Sequence, residues 1–334
     1  MRTLAAIVLA TLLTGPSTAQ VSLTGAGSTF VAPIMDKWIA EYVKEHPGIT
    51  ITYLPNGSGA GIAQSLHGML DFGGTDAPVT DDQMSKAATK VIHIPVIIGS
   101  DVPAYNLPSI TSDLRFTPDV LARIFLGQIT NWNDAAMRAA NPGVPLPEKP
   151  IVVVHRSDGS GTTYVWTDYL CKVSPEWNKR VGKGTSVKWP VGIEGKGNEG
   201  VSAVIRQTDG SIGYLELSYA IKDKVAYGLV ENSAGRFVKA TPASTSAAAA
   251  SETALPSDLR VSISNAPGPD SYPIASFSWV LIPTNLRGSP KGKVMAEFFT
   301  WVLTDGQKFA PELFYAPLPK NVAEQALQAA AQEK

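Results

Sequence analysis

Three short segments of one type constrain this chain more than anything else in it. Gly25-Ala26-Gly27-Ser28-Thr29-Phe30 leads from a strand-like stretch (21–24) into a helical pattern through Trp38. Asn56-Gly57-Ser58-Gly59-Ala60-Gly61 leads from a β-branched stretch ending at Leu54 into a helix through Ile62 and Leu66. Asp158-Gly159-Ser160-Gly161-Thr162 leads from the apolar run 151–154 into a helix through Val165 and Tyr169. A turn of this kind, used three times, belongs to strand–helix units. Parallel strands in such a sheet aim their C-terminal ends at one crevice.

The rest of the pattern agrees. The runs 91–98 and 277–282 read as buried strands. Ile34, Trp38 and Tyr42 recur at helical spacing, as do Val294, Phe298, Trp301 and Val302. Thr117-Pro118-Asp119 is a capped helix start with proline in its first turn. This alternation predicts an α/β protein with largely parallel sheets. The Ala/Ser/Thr-rich stretch 241–255 begins with Thr241-Pro242 and predicts a short surface helix rather than a linker.

At 334 residues the chain fits one large domain or two medium ones. Its 28 Lys+Arg against 29 Asp+Glu leave no basic excess, which argues against a nucleic-acid surface. Arg2, the apolar run 4–13 and the small residues Ser17-Thr18-Ala19 read as a signal peptide over 1–19, cleaved after Ala19. No Cys follows it to carry a lipid, so a soluble periplasmic protein is expected. The single cysteine, Cys171, has no partner for an intramolecular disulfide and reads as a small packed hydrophobe on a helix.

Each Gly-rich turn sets a hydroxyl residue at a helix N-terminus. Free N–H donors and the positive end of the helix dipole gather there, and glycine lets the backbone approach an anion closely. Any one such turn reads as ordinary capping; three converging on one crevice point to an oxyanion. The turns do not fit other phosphate or hydrolase motifs. Gly57 to Ile62 lacks the last glycine of G-x-G-x-x-G, and no turn ends in the Gly-Lys-Ser/Thr of a P-loop. Neither Ser58 nor Ser160 sits in G-x-S-x-G. His46, His67, His93 and His155 show no catalytic or zinc-ligand spacing. No cofactor, metal or catalysis is expected.

Arg156 ends a buried strand, where an unpaired charge is costly, and Asp158 two positions on shares its face. The pair is either purely structural or an oriented guanidinium that grips an anion through two oxygens; the adjoining turn favours the second. Asp76, in Asp71-Phe72-Gly73-Gly74-Thr75-Asp76-Ala77-Pro78, reads alone as a turn acid. In an anion site it gains a purpose if the anion carries a proton, as phosphate does and sulfate does not. Micromolar binding needs about 8 kcal/mol. Charge-assisted hydrogen bonds give roughly 1.5–3 kcal/mol each, against an association cost of at least about 4 kcal/mol. One turn falls short, so the segments must converge.

The segments 22–30, 71–78, Arg156-Ser157-Asp158-Gly159-Ser160-Gly161-Thr162 and Lys188-Trp189-Pro190-Val191-Gly192 together resemble the periplasmic phosphate-binding proteins of Pst-type ABC transporters. Gly195-Lys196-Gly197-Asn198, Gly210-Ser211-Ile212-Gly213-Tyr214 and Tyr272-Pro273-Ile274 extend the likeness over nearly the whole mature chain. The resemblance implies a two-lobed type 2 periplasmic binding protein, α/β, with lobe 1 over 20–100 plus 273–334 and lobe 2 over 101–272. It implies inorganic phosphate held by Thr29, Phe30 (through its N–H), Ser58, Asp76, Arg156, Ser160, Gly161 and Thr162, with Asp158 positioning the arginine. It further implies hinge closure, delivery to membrane permease subunits, and a monomer. Two departures lie close to the site: Ser28 stands where Ala is common, and His155 where a second basic residue often lies. Alternatives are another oxyanion such as sulfate or molybdate, a secreted phosphatase, and a surface adhesion role on the same fold.

Overall fold

The computed structural model describes residues 21–250 and 255–331. The signal peptide expected over 1–19 lies outside the described residues. Twelve strands lie among those described: β1 Val21–Gly27, β2 Ile49–Leu54, β3 Phe72–Thr75, β4 Val91–Tyr105, β5 Arg115–Phe116, β6 Val152–Arg156, β7 Ile193–Gly195, β8 Ser211–Glu216, β9 Ala226–Tyr227, β10 Leu229–Glu231, β11 Phe237–Val238 and β12 Ala275–Pro283. One sheet runs β2-β1-β3-β12-β4-β8-β6-β7, with β9 beside β4; β11, β10 and β5 form a small second sheet.

The expected parallel arrangement holds at both ends of the large sheet and fails at its centre. β1 pairs parallel with β2 and β3, and β6 pairs parallel with β7 and β8. The central β12 is antiparallel to β3 and β4, and β4 is antiparallel to β8. The reason is the chain path. β4 carries the chain from one half of the sheet to the other and β12 brings it back, so the two run in opposite directions. β4 is a single strand of 15 residues, buried almost throughout: 91–100 pair with β12 and 101–105 with β8.

Two apolar cores flank this crossing. The first gathers Leu23, Trp38, Tyr42 and Phe72 with Phe277, Phe298 and Phe299. The helix Ala32–Glu45 belongs to it, burying Ile34, Met35, Trp38 and Tyr42 as their spacing predicts. The Trp38 indole N–H is satisfied by the Gly306 carbonyl at 2.8 Å, so its burial leaves no orphan donor. The second core gathers Phe116, Phe125, Trp132, Trp166, Trp177 and Tyr214.

Thr117 caps the helix Pro118–Phe125 as expected, accepting from the Val120 N–H. The helix expected after Thr241 is present as Pro242–Ala249, but it is not a surface helix. Thr245, Ala248 and Ala249 are fully buried, Ser100 and Thr245 share a 2.6 Å hydrogen bond, and Ala248 and Ala249 join the first core. Small side chains let this helix lie close against the β4 crossing. Cys171 is partly buried against the second core, and burial pushes its thiol up. Among the described residues no helix is long and apolar enough to cross a membrane.

Candidate anion-binding site

The first two Gly-rich turns lock together. The Gly27 carbonyl accepts from Gly57 N–H at 2.7 Å, and Ser28 N–H reaches the Gly74 carbonyl at 2.9 Å. Gly27 has φ 137°, and a β-carbon there would lie 2.1 Å from the Gly74 oxygen. Only glycine fits, because β1 and β3 converge there. Ser58 opens the helix Ser58–Leu66, and Asp76 follows β3; both are fully buried.

The third turn supplies the facing wall. Arg156 ends β6 with only 1% of its side chain exposed. Its guanidinium meets Asp158 twice, Nε to Oδ1 at 2.8 Å and Nη2 to Oδ2 at 2.6 Å, while Nη1 donates to Thr162 Oγ1 at 3.1 Å. Asp158 also accepts from the Gly197 N–H at 3.0 Å. Burial pushes the Asp158 carboxyl up, but the paired guanidinium outweighs it, and the group lies below the ordinary carboxylate range. Ser160 caps the helix Gly161–Val173 by accepting from the Thr163 N–H. His155 points elsewhere, its ring stacked 4.9 Å from that of Trp189, as alternation along a strand requires. Trp189 also stacks on Tyr214, whose hydroxyl accepts the Arg156 N–H at 3.1 Å. The Lys188-Trp189-Pro190 segment therefore braces the strand that carries the arginine.

The two walls meet. A β-carbon on Gly161 would lie 2.1 Å from Asp76 Oδ2 and 2.4 Å from Ser58 Oγ. Gly59 N–H donates to the Gly159 carbonyl at 2.8 Å. Asn198 Nδ2 donates to Thr29 Oγ1 at 2.9 Å and to Thr162 Oγ1 at 3.1 Å. Tyr219 and Tyr315 hydroxyls donate to the carbonyls of Thr29 and Phe30 at 2.7 and 2.6 Å. Thr29, Phe30, Ser58, Asp76, Arg156, Asp158, Ser160, Gly161 and Thr162 thus lie in one contiguous, mostly buried network. The Phe30 N–H donates to Ser28 Oγ at 3.0 Å, so the departing residue Ser28 engages a group expected to face the ligand.

Asp76 sets the electrostatics. Burial pushes its carboxyl up to about 6, against the lowering effects of the Ser278, Ser28 and Ser58 hydroxyls and the Arg156 charge. A cavity of about 170 Å³ opens beside the network, lined by Thr29, Asn56, Asp158, Lys196, Asn198 and Tyr219. The arrangement offers a fixed guanidinium, hydroxyl donors and a helix N-terminus on one side of a buried acceptor, which suits an oxyanion that keeps a proton.

Sequence reasoning missed Asn198, Tyr219 and Ser278. Asn198 stands in a motif noted for resemblance without a role; nothing local marks the other two.

Comparisons with known proteins agree with the geometry. Residues 14–305 match the family model described as a PBP superfamily domain. The phosphate-binding protein PstS of Xylella fastidiosa is 44% identical over 310 residues, covering 92% of this chain and 84% of that protein. The PstS of Haemophilus influenzae is 41% identical, covering 93% of each. A crystal structure described as a putative phosphate ABC transporter substrate-binding protein with bound phosphate, from Clostridium perfringens, shares the fold at TM-score 0.67 and 19% identity, covering 90% of this chain and 100% of that one. Fold, residue network and these relatives lead to one statement: the chain belongs to the PBP superfamily, among the phosphate-binding PstS proteins.

Proposed function

We propose that this chain is the periplasmic phosphate receptor of an ABC importer, binding hydrogen phosphate or dihydrogen phosphate without altering it. The PstS relatives described above are phosphate-binding proteins. Arg156, held by Asp158, and the donors of Thr29, Ser58, Ser160, Gly161 and Thr162 take the anion's charge; the Phe30 N–H, which donates to Ser28 Oγ, joins them only by sharing its proton with the anion. Asp76 accepts the anion's proton. The observation that carries this reading is a fully buried carboxylate within the field of a fully buried guanidinium. Such an acid repels a fully ionised anion and favours one with an O–H to give.

The proposed lobes are 20–100 with 273–334, and 101–272, closing about β4 and the return near Tyr272. The helix Pro242–Ala249 and Leu255, Leu259, Ile263 and Ala266 pack in the first core although chain order puts them in the second lobe, so this stretch sides with the first lobe. Closed lobes deliver phosphate to permease subunits, and the receptor acts as a monomer in the periplasm.

Calorimetric titration of the mature chain, stripped of phosphate, tests the reading. Phosphate binds one-to-one and sulfate is silent. Arg156→Ala abolishes tight binding with the fold intact, and Asp76→Asn weakens phosphate while admitting sulfate. Sulfate silence in Asp76→Asn would refute the proton-based selectivity, and unchanged affinity in Arg156→Ala would refute the arginine's role.

A further inference from the structure

We infer that Ser28 and Ser278 are positioning residues that hold Asp76, one on each carboxylate oxygen, as the ionised acceptor for the proton of the bound phosphate. The inference rests on the phosphate reading above.

An ionised carboxylate offers about four acceptor positions. Asp76 Oδ2 already receives Ser28 Oγ at 2.5 Å and Ser58 Oγ at 3.2 Å, and Oδ1 receives Ser278 Oγ. Ser28 and Ser278 thus hold one carboxylate oxygen each, and when the Ser58 hydroxyl turns to the anion as proposed above, the Oδ2 position beside Gly161 is left for the proton of the phosphate. The Ser28 hydroxyl has little freedom to turn away. Its oxygen accepts the Phe30 and Val31 N–H groups at 3.0 and 3.3 Å, so its single proton goes to Asp76. Ser278 comes from the far end of the chain, on β12, where the register with β4 shifts between Ser278 and Trp279. A shift of this kind re-aims a side chain. Ser278 is fully buried and delivers its hydroxyl to the one carboxylate oxygen that Ser28 and Ser58 do not use.

These hydroxyls stabilise the ionised form of Asp76 against its burial. The other charged or titratable groups around it are Arg156 on β6, Tyr53 on β2, Asp101 on β4 and Glu216 on β8. Arg156 assists ionisation, and the two acids oppose it when ionised.

The sign follows from the acceptor role. Phosphate needs Asp76 ionised, so affinity falls as pH drops through the carboxyl's pKa. Removing a donor raises that pKa, and a charge-assisted hydrogen bond corresponds to roughly one pH unit or more. Phosphate affinity is measured by calorimetry from pH 5 to 8.5 for the wild type, Ser28→Ala and Ser278→Ala, with folding checked by circular dichroism. Phosphate's own titration is common to all and cancels in the ratio of variant to wild type.

The expected result is an affinity penalty that grows about tenfold from pH 8.5 to 5. Ser278→Thr, which keeps the hydroxyl on a strand that tolerates β-branching, shows no such growth. In an Asp76→Asn background, where nothing titrates at this position, the serine substitutions add no pH-dependent penalty. A penalty equal at every pH would mean that the serines only pack, and would overturn the assignment alone. Failure of the wild type to bind phosphate at any pH would overturn the phosphate reading, and the assignment with it.

Discussion

Asp101→Asn should make this protein more stable at neutral pH, and the gain should vanish in acid. Asp101 lies on β4 where the strand passes from one core to the other, opposite Glu216 of β8. It is fully buried, and neither carboxyl oxygen has a hydrogen-bond partner among the described residues. Burial, then the charges of Asp76 and Glu216, push its pKa well above the ordinary value, and Arg156 only partly opposes them. A folded-state pKa above the unfolded one means that stability is full below the unfolded pKa and is lost as pH rises toward the folded one. Each unit by which the folded pKa exceeds the unfolded one corresponds to about 1.4 kcal/mol of stability lost as pH rises through that interval. Asn matches the shape without that cost, but its amide lacks partners, a penalty of about 1–3 kcal/mol. The expected outcome is a net gain at pH 7 that shrinks as pH falls toward the unfolded carboxyl's range, where only the amide penalty remains. Urea unfolding of phosphate-free protein across this range reads it directly. A destabilisation of equal size at pH 7 and pH 4.5 would show that Asp101 is ionised and partnered, and the reasoning would be refuted.

Two further substitutions probe the junction of the walls. Gly161→Ala places a methyl against Asp76 and Ser58; overpacking of about 1–3 kcal/mol should weaken phosphate binding roughly 10- to 100-fold, measured by calorimetry, with little change in urea midpoint. Asn198→Ala removes the amide that joins Thr29 to Thr162, and phosphate affinity should fall about tenfold without loss of one-to-one stoichiometry.

The parts of the site readable in sequence are those where chemistry and position coincide locally. The three Gly-rich turns, the Arg156–Asp158 spacing and the placement of Asp76 after Gly73-Gly74 are each decided within a few residues, and the structure joins them in one network. Ser278, Asn198 and Tyr219 reach the network from strands and helices far along the chain, so no spacing marks them. Asp101 is hidden for a related reason: its neighbours are set by the pairing of β4 with β8, which the strand pattern alone does not specify. The antiparallel centre of the sheet follows from chain path rather than residue type. The burial of the helix Pro242–Ala249 is not legible in the sequence because a run of alanines has no polar and apolar face to distinguish.

The bond from Gly59 to Gly159 is made by main chain alone, and a side chain on either residue would crowd the other. A β-carbon on Gly59 would lie 2.9 Å from the Gly159 Cα, and one on Gly159 would lie 3.1 Å from the Gly59 Cα. The Gly59 amide proton is therefore protected by an acceptor on the opposite wall. On the proposed hinge closure, its exchange with deuterated solvent should serve as a clock for the parting of the walls, running slowly with phosphate and faster without it. Because no side chain makes the bond, substitutions elsewhere can change how often that clock ticks while leaving the bond itself chemically unchanged.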